Sequence, residues 1–396
     1  MKIAIVSSWF SEDMGYIENR LPVALADLGH EVHVIASDGQ VYYTSHDYQE
    51  IYERFLGPRF VPTGTTQREG FTLHRLPHVA FKDLLGIRGL TKLLSAIAPD
   101  IVQVMDHVSL SALQSAYWCT RKRAPLFTAS HMHASAFKPA MSRLKIRTWL
   151  WAYLWLPGRL VSSVVKRCYT ISEDASDVAH RYLGVQQNKL RIVPLGVDAK
   201  LFHPTGTPAE EERREALRSR LGFRDDEIVC IYTGRLTEQK NPLLLAQAVH
   251  SQREQGLPFR GLFVGEGPQN AAISSLEGNI LLGFVSFPDL PDYYRASDIA
   301  VWPTQESTSM LDAAASGLPL VVSNRVQVRE RIAEGGTVYE EGSGADLASK
   351  LKALADPGRR RELGSRGASA IRTNLTWERL AETRLNDYST ALAKRR

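Results

Sequence analysis

Short apolar runs rich in β-branched residues recur along the chain, separated by stretches in which apolar residues return every three or four positions. In the first half the runs are Lys2–Val6, Glu31–Ala36, Ile101–Met105, Leu126–Ser130, Cys168–Ile171 and Arg191–Pro194. In the second they are Ile228–Tyr232, Gly261–Val264, Ile280–Leu282, Ile299–Trp302, Leu320–Ser323 and Thr337–Tyr339. Strands alternating with helices in this way predict parallel sheets wrapped by helices. No sequence repeat relates the halves, yet the same architecture is predicted twice. The expected fold class is α/β, with two Rossmann-like, doubly wound domains facing across a cleft.

Between Pro194 and Ala209 the character changes to a Pro- and Gly-containing stretch followed by the charged EEERREALRSRLGF. This predicts a linker. Residues 1–195 then form the N-terminal domain and 196–375 the C-terminal one, with a last helix at about 376–396 packing back on the first. The stretch from Tyr42 to Phe81 has weak periodicity and reads as loops and short strands over a cleft.

Local signals place candidate chemistry on the loops. The run Ile228–Tyr232 ends at Thr233-Gly234, and Asn241-Pro242 opens an amphipathic helix. Pro242 suits the first turn of that helix. Arg235 and Lys240 lie between, at the carboxyl end of a strand, where doubly wound sheets bind ligands and a helix N-terminus favours an anion. Two cations there suit a diphosphate; solvated loop charges are the plain alternative. Gly15 precedes the first helix and can bring backbone N–H groups to a phosphate, or merely serve a turn. No G-x-G-x-x-G follows the first strand.

His131 and His133 follow the strand Leu126–Ser130 and point toward the same kind of crevice, as substrate contacts or as hydrogen-bonded structural groups. Two histidines without a matching cluster do not make a metal site. After Ile299–Trp302, Glu306 and Asp312 are expected at the start of an Ala-rich helix ended by Gly317. There the dipole tolerates carboxylates, which can accept hydrogen bonds from sugar or ribose hydroxyls.

Composition narrows the setting. The 396 residues, 44% hydrophobic and 23% charged, suit a globular chain of more than one domain. No run reaches the ~18 apolar residues of a membrane span, and the first strand starts at Lys2, which argues against a signal peptide. Cys119, Cys168 and Cys230 are isolated and read as reduced thiols of a cytoplasmic protein. The net charge of +5 is unevenly spread: between His107 and Ser172 there are ten Lys or Arg and no Asp or Glu. Within it, Lys138–Arg167 carries Trp149, Trp151 and Trp155. Basic and aromatic residues together suit an anionic membrane interface at the inner face, against the alternative of a core-facing helix. No nucleic-acid motif is present.

The order and spacing of several segments resemble the GT-B glycosyltransferases of family 4, which are retaining enzymes. The segments are Leu25–Val32 with Gly15, Pro99–Val104, Val193–Pro204, Thr233–Pro242, Val264–Pro268, Gly283–Val285, Tyr293–Asp298 and Asp312–Pro319. The resemblance implies a nucleotide-sugar donor, UDP- or GDP-linked, on the C-terminal domain. It implies a glycan, lipid-linked or small-molecule acceptor on the N-terminal one. Arg235 and Lys240 match the family's diphosphate pair and His131, with His133 next, its histidine near the transferred sugar. Gly15, Gly234, Glu266, Val285, Ser309 and Asp312 match donor-binding positions. No cofactor or metal is implied.

One departure stands out. The family has two glutamates eight residues apart; here the second position is Asp312, and Thr304 stands eight before it, with Glu306 only six before. Either Thr304 or Glu306 takes the sugar-side role. A sugar-nucleotide epimerase of the same fold and a catalytically silent donor-binding subunit are the rival expectations.

Overall fold

The apolar runs become the central strands of two sheets in the computed structural model, which describes residues 1–12, 14–46, 48–81, 84–133, 151–326, 332 and 334–394. The chain divides into two compact units, one of Met1–Leu195 with Trp377–Arg396, the other of Gly196–Thr376.

The first unit contains β1 (Lys2–Ser7), β2 (Glu31–Ser37), β3 (Gly64–Gln67), β4 (Thr72–Leu76), β5 (His78–Phe81), β6 (Leu84–Ile87), β7 (Ile101–Val104), β8 (Leu126–Ser130), β9 (Arg167–Thr170) and β10 (Leu190–Ile192). Eight of them form one sheet in the order β10-β9-β8-β7-β1-β2-β4-β3, and β5 pairs with β6 in a separate hairpin. Pairing in the large sheet is parallel except for β3 against β4. Ile3, Ile5, Val34, Val102 and Leu126 are fully buried, as continuous apolar strands covered on both faces must be. From β1 the chain winds outward through β2, then returns to β7 on the other side. The switch point therefore lies at the carboxyl ends of β1 and β7.

The region from Tyr42 to Phe81 is more ordered than its weak pattern suggests. β4 is a full member of the main sheet, paired with β2, and β3 adds an antiparallel edge. Within β4, His74 and Arg75 are buried; polar residues at core positions concealed the strand.

The C-terminal helix Trp377–Ala393 belongs to this unit. Its Tyr388 ring packs 4.7 Å from Phe127 and its hydroxyl donates to Gln103. Arg384, 1% exposed, lies with its guanidinium 4.9 Å over the Tyr169 ring. Tyr169 donates to Asp387 at 3.1 Å, and Arg191 pairs with the same carboxylate.

The second unit has one parallel sheet of β11 (Ile228–Thr233), β12 (Phe259–Val264), β13 (Asn279–Leu282), β14 (Ile299–Trp302), β15 (Leu320–Ser323) and β16 (Gly336–Tyr339). Their order is β13-β12-β11-β14-β15-β16. Its switch point falls between β11 and β14. The unit's first helix, Pro208–Arg220, starts with a capping box in which Thr207 and Glu210 satisfy each other's backbone N–H. Among the described residues no helix is long and apolar enough to cross a membrane.

Candidate active site

In an open α/β sheet the strand order reverses at one point, and the loops there part to leave a crevice. In the second unit that crevice is bounded by the loops after β11 and β14. The first carries Gly234, Arg235 and Lys240; the second carries Thr304 and Glu306. Lys240 donates from Nζ to the Glu306 carbonyl at 2.9 Å, and Thr304 donates to the Gln239 carbonyl at 2.7 Å. The two loops are thus laced together across the switch point. Burial, the Arg235 charge beside it, and in opposition Glu306, set the Lys240 ammonium's pKa down at about 8.

Glycines weld a third loop to this pair. A Cβ on Gly265 would stand 2.0 Å from the Gly234 carbonyl oxygen, and one on Gly267 would stand 2.4 Å from that of Leu236. Gly234 itself has φ 144°, outside what side chains tolerate easily. Leu236 N–H donates to the Glu266 carbonyl at 2.9 Å, and the Glu266 carboxylate accepts from Asn270 at 2.7 Å. Pro242 starts the helix Pro242–Glu254 after Asn241, whose φ of 47° turns the chain into it.

Glu306 lies in the loop before the short helix Ser309–Ala315 rather than at its start, a correction to the sequence expectation. The loop needs residues 303–308 to reach from β14 to the helix. Asp312 is inside that helix and 8% exposed. Ser309 and Asp312 both act on Tyr294, whose hydroxyl is 2.8 Å from Thr233 Oγ1. Val285 follows β13 and lines a hollow of about 600 Å³ with Phe284, Tyr293 and Arg213.

At the first unit's switch point the chemistry is different. Gly15 precedes the helix Ile17–Asp27, and the loop is tied by Asn19 Nδ2 donating to the Ser11 carbonyl at 2.8 Å. In the helix's first turn Glu18 is 7% exposed, and burial, with a smaller contribution from the Asp106 charge, pushes its carboxyl up to about 7. Asp106, just beyond β7, accepts from Ser8 Oγ at 2.9 Å and is also raised by burial. His131 follows β8; burial, then the charge of Arg384, brings its imidazole down to about 4, so it is neutral near pH 7. His133 instead pairs with Asp174 at 3.1 Å.

Sequence reasoning passed over Glu18 and Asp106. The signal was present for Asp106, an acid at a strand's carboxyl end; Glu18 looks like any first-turn acid until its burial is known.

Residues 134–150, with Lys138, Arg143, Lys145, Arg147 and Trp149, lie outside the described residues. Beyond them a π-helical turn, Trp151–Trp155, runs into the helix Leu156–Val164. Val161 and Ser162 face inward, while Trp151 is 53% and Leu160 59% exposed. Trp151 stacks on Trp155 with ring centroids 5.7 Å apart. This helix therefore presents apolar side chains outward, which a core-facing helix does not.

Two Rossmann-like units with sites at their switch points define the class: a two-domain α/β fold of the GT-B type. Family profiles agree, "Glycosyl transferases group 1" matching residues 227–356 and "Glycosyltransferase Family 4" residues 20–201. The chain belongs to the group 1 glycosyltransferases. D-inositol 3-phosphate glycosyltransferase of Xylanimonas cellulosilytica is 30% identical over 240 residues, 56% of this chain and 56% of the relative, so little more than half of that protein is matched. Alpha-monoglucosyldiacylglycerol synthase of Acholeplasma laidlawii is 22% identical over 313 residues, 76% of this chain and 74% of the relative. The crystal structure of HepE from Anabaena in complex with UDP superposes with a TM-score of 0.72 at 15% identity, covering 98% of this chain and 100% of the other. At that identity the likeness concerns the fold.

Proposed function

We propose that the protein is a retaining hexosyltransferase that moves a sugar from a nucleotide-diphosphate donor to a glycan, lipid-linked or small-molecule acceptor. The observation that carries the reading is the Arg235–Lys240 pair at the second unit's switch point. Burial, and then the Arg235 guanidinium, disfavours charge on the Lys240 ammonium against the pull of Glu306, and a diphosphate between the two cations would favour it. In the reaction both cations stabilise charge gathering on the departing diphosphate, a preorganised electrostatic role. The leaving oxygen accepts the acceptor's proton on the same face, so the transferred sugar keeps its anomeric configuration. Asp312 holds the ribose, Glu306 or Thr304 meets the sugar, and neutral His131 hydrogen-bonds a sugar hydroxyl. Cations in this role make a metal unnecessary, and a chelator should leave turnover unchanged.

The donor is UDP- or GDP-linked; the relative structure with bound UDP supports the first. A thermal-shift panel of UDP-, GDP-, ADP- and dTDP-sugars tests this, because the true donor stabilises the fold by mass action. A panel without any stabilising nucleotide would refute the donor site, and an inverted product anomer by NMR would refute retention.

A cytoplasmic protein attached at the inner membrane face is the setting that suits the outward Trp151, Leu156 and Leu160 together with the acid-free basic interval. The diacylglycerol-glycosylating relative points the same way. Each cation near an anionic surface contributes up to ~1 kcal/mol. Co-sedimentation with anionic but not neutral vesicles, weakened by salt and by Arg143/Lys145/Arg147→Glu, is the expected result; equal indifference to both vesicle types would refute it.

A further inference from the structure

The first unit holds a pocket of about 380 Å³ beside β1, β2 and β4, lined by Glu12, Phe55, Pro62, Thr66, Arg68 and Arg75 among others. Glu12 follows β1 and Arg75 stands near the end of β4, on the ligand edge of the sheet, whereas Thr66 lies opposite Leu73 and Arg68 in the turn before β4, from which its long side chain reaches Glu12.

Arg75 is the unusual member. It is 8% exposed, yet among the described residues its hydrogen bonding is limited to Nη1 donating to the Phe10 carbonyl at 3.0 Å. Its guanidinium sits 5.3 Å over the Phe10 ring. The Nη2 group stands 4.0 Å from Glu12 Oε1, beyond hydrogen-bond reach. Glu12 is instead engaged by Arg68 at 2.5 Å. Among the described residues two guanidinium groups and one carboxylate line the pocket, and Asp38 acts on Arg75 from a greater remove, as a smaller influence than Glu12. A buried guanidinium with donors unspent costs free energy unless an anion or water completes it.

We propose that this pocket is a subsite for an anionic group, a carboxylate or a phosphate ester, carried by the acceptor. Arg75 and Arg68 grip it as a planar fork grips an oxyanion, and Phe55 and Pro62 cover the sugar or chain that bears it. The inference rests on the reading of this unit as the acceptor side. Four strand spacings separate β4 from β8, which carries His131, or roughly 19 Å at about 4.8 Å each. The anion is therefore not on the reacting ring but further along the acceptor, beyond one monosaccharide.

The test uses the full chain and three probes of one shape: D-glucose, D-glucuronate and D-glucose 6-phosphate, titrated calorimetrically. At least one anionic sugar should bind and neutral glucose should not; which anion binds separates carboxylate from phosphate. Arg75→Met should weaken that binding about tenfold or more, and exposed Arg68→Ala less. Glu12→Gln should tighten it, because it removes the competing carboxylate, and a merely damaged fold would not produce that gain. Anions binding no better than glucose would overturn the proposal. So would loss of the phosphate signal in Arg235→Ala rather than Arg75→Met, which would place the probe at the diphosphate site. UDP or GDP binding should persist in Arg75→Met, so a failure here leaves the donor reading standing.

Discussion

The two units solve the same folding problem and place a site at the same topological point, yet the charges there are opposite in kind. At the second unit's switch point are cations, Arg235 and Lys240, whose mutual repulsion and burial disfavour charge on Lys240. At the first unit's switch point are carboxyls, Glu18 and Asp106, whose burial holds them toward neutrality. One edge gathers positive charge, as the proposed diphosphate site requires; at the other, burial raises both carboxyls, so they hold their protons to higher pH than free acids do. The fold decides where a ligand goes, and a few buried charges decide which ligand.

The sharpest way to break that contrast is Arg235→Ala or Lys240→Ala. Each should lower turnover about a hundredfold, some 3 kcal/mol of transition-state stabilisation, with the fold intact by circular dichroism. Near-normal rates in both would dissolve the difference between the edges.

Next in size is Glu18→Gln, read by thermal unfolding against pH. Glu18 keeps its proton to about 7 when folded but loses it near 4.5 when unfolded. Its contribution to stability is therefore present below 4.5 and lost as the pH rises through 7. The variant should match the parent at pH 4 and exceed it by roughly 3 kcal/mol at pH 8. A constant offset across that range would remove the buried acid from the comparison.

Much of this layout was legible beforehand. The twelve apolar runs all overlap strands: the central ones are buried on both faces and read as continuous apolar sequence, while β10, β13 and β16 are partly exposed edge strands, and the run Arg191–Pro194 outlasts β10 by two residues. β4 escaped because its sequence, Thr-Leu-His-Arg-Leu, spends core positions on His74 and Arg75, and His74 Nε2 meets His33 Nδ1 of β2 at 3.0 Å. Such a partnership spans 41 residues of chain and leaves no local trace. For the same reason loop positions of Arg235, Lys240 and Glu306 follow from the strands before them, whereas the Lys240 bond to the Glu306 carbonyl depends on the path of both loops.

A smaller effect separates the two carboxylate positions. Asp312→Asn should weaken nucleotide diphosphate binding about tenfold, ~1.4 kcal/mol, while Glu306→Gln should spare binding and impair transfer. If Glu306→Gln is silent in both assays, Thr304 holds the sugar side. The smallest effect is on the unliganded fold. With Lys240 depressed to about 8, its penalty is full below pH 8 and fades toward 10.5 as the unfolded chain also loses the proton. Lys240→Met should raise stability at pH 7 by about 1 kcal/mol, discounted for partial exposure, and lose that advantage above pH 10. Together with Glu18→Gln it would show one edge relaxing in acid and the other in base.

The helix Trp377–Ala393 completes a unit whose other residues end at Leu195. On a ribosome that unit must wait. Until the helix emerges, the rings of Phe127 and Tyr169 lack the Tyr388 and Arg384 that cover them. The 181 residues of the intervening unit take on the order of 20 s at ~10 residues per second. For that interval the N-terminal half is an unfinished sheet with an open apolar face while the second unit, contiguous in the chain, is free to fold first. Order of synthesis and order of maturation are therefore reversed, and the nascent N-terminal half is the client that a chaperone would be expected to hold.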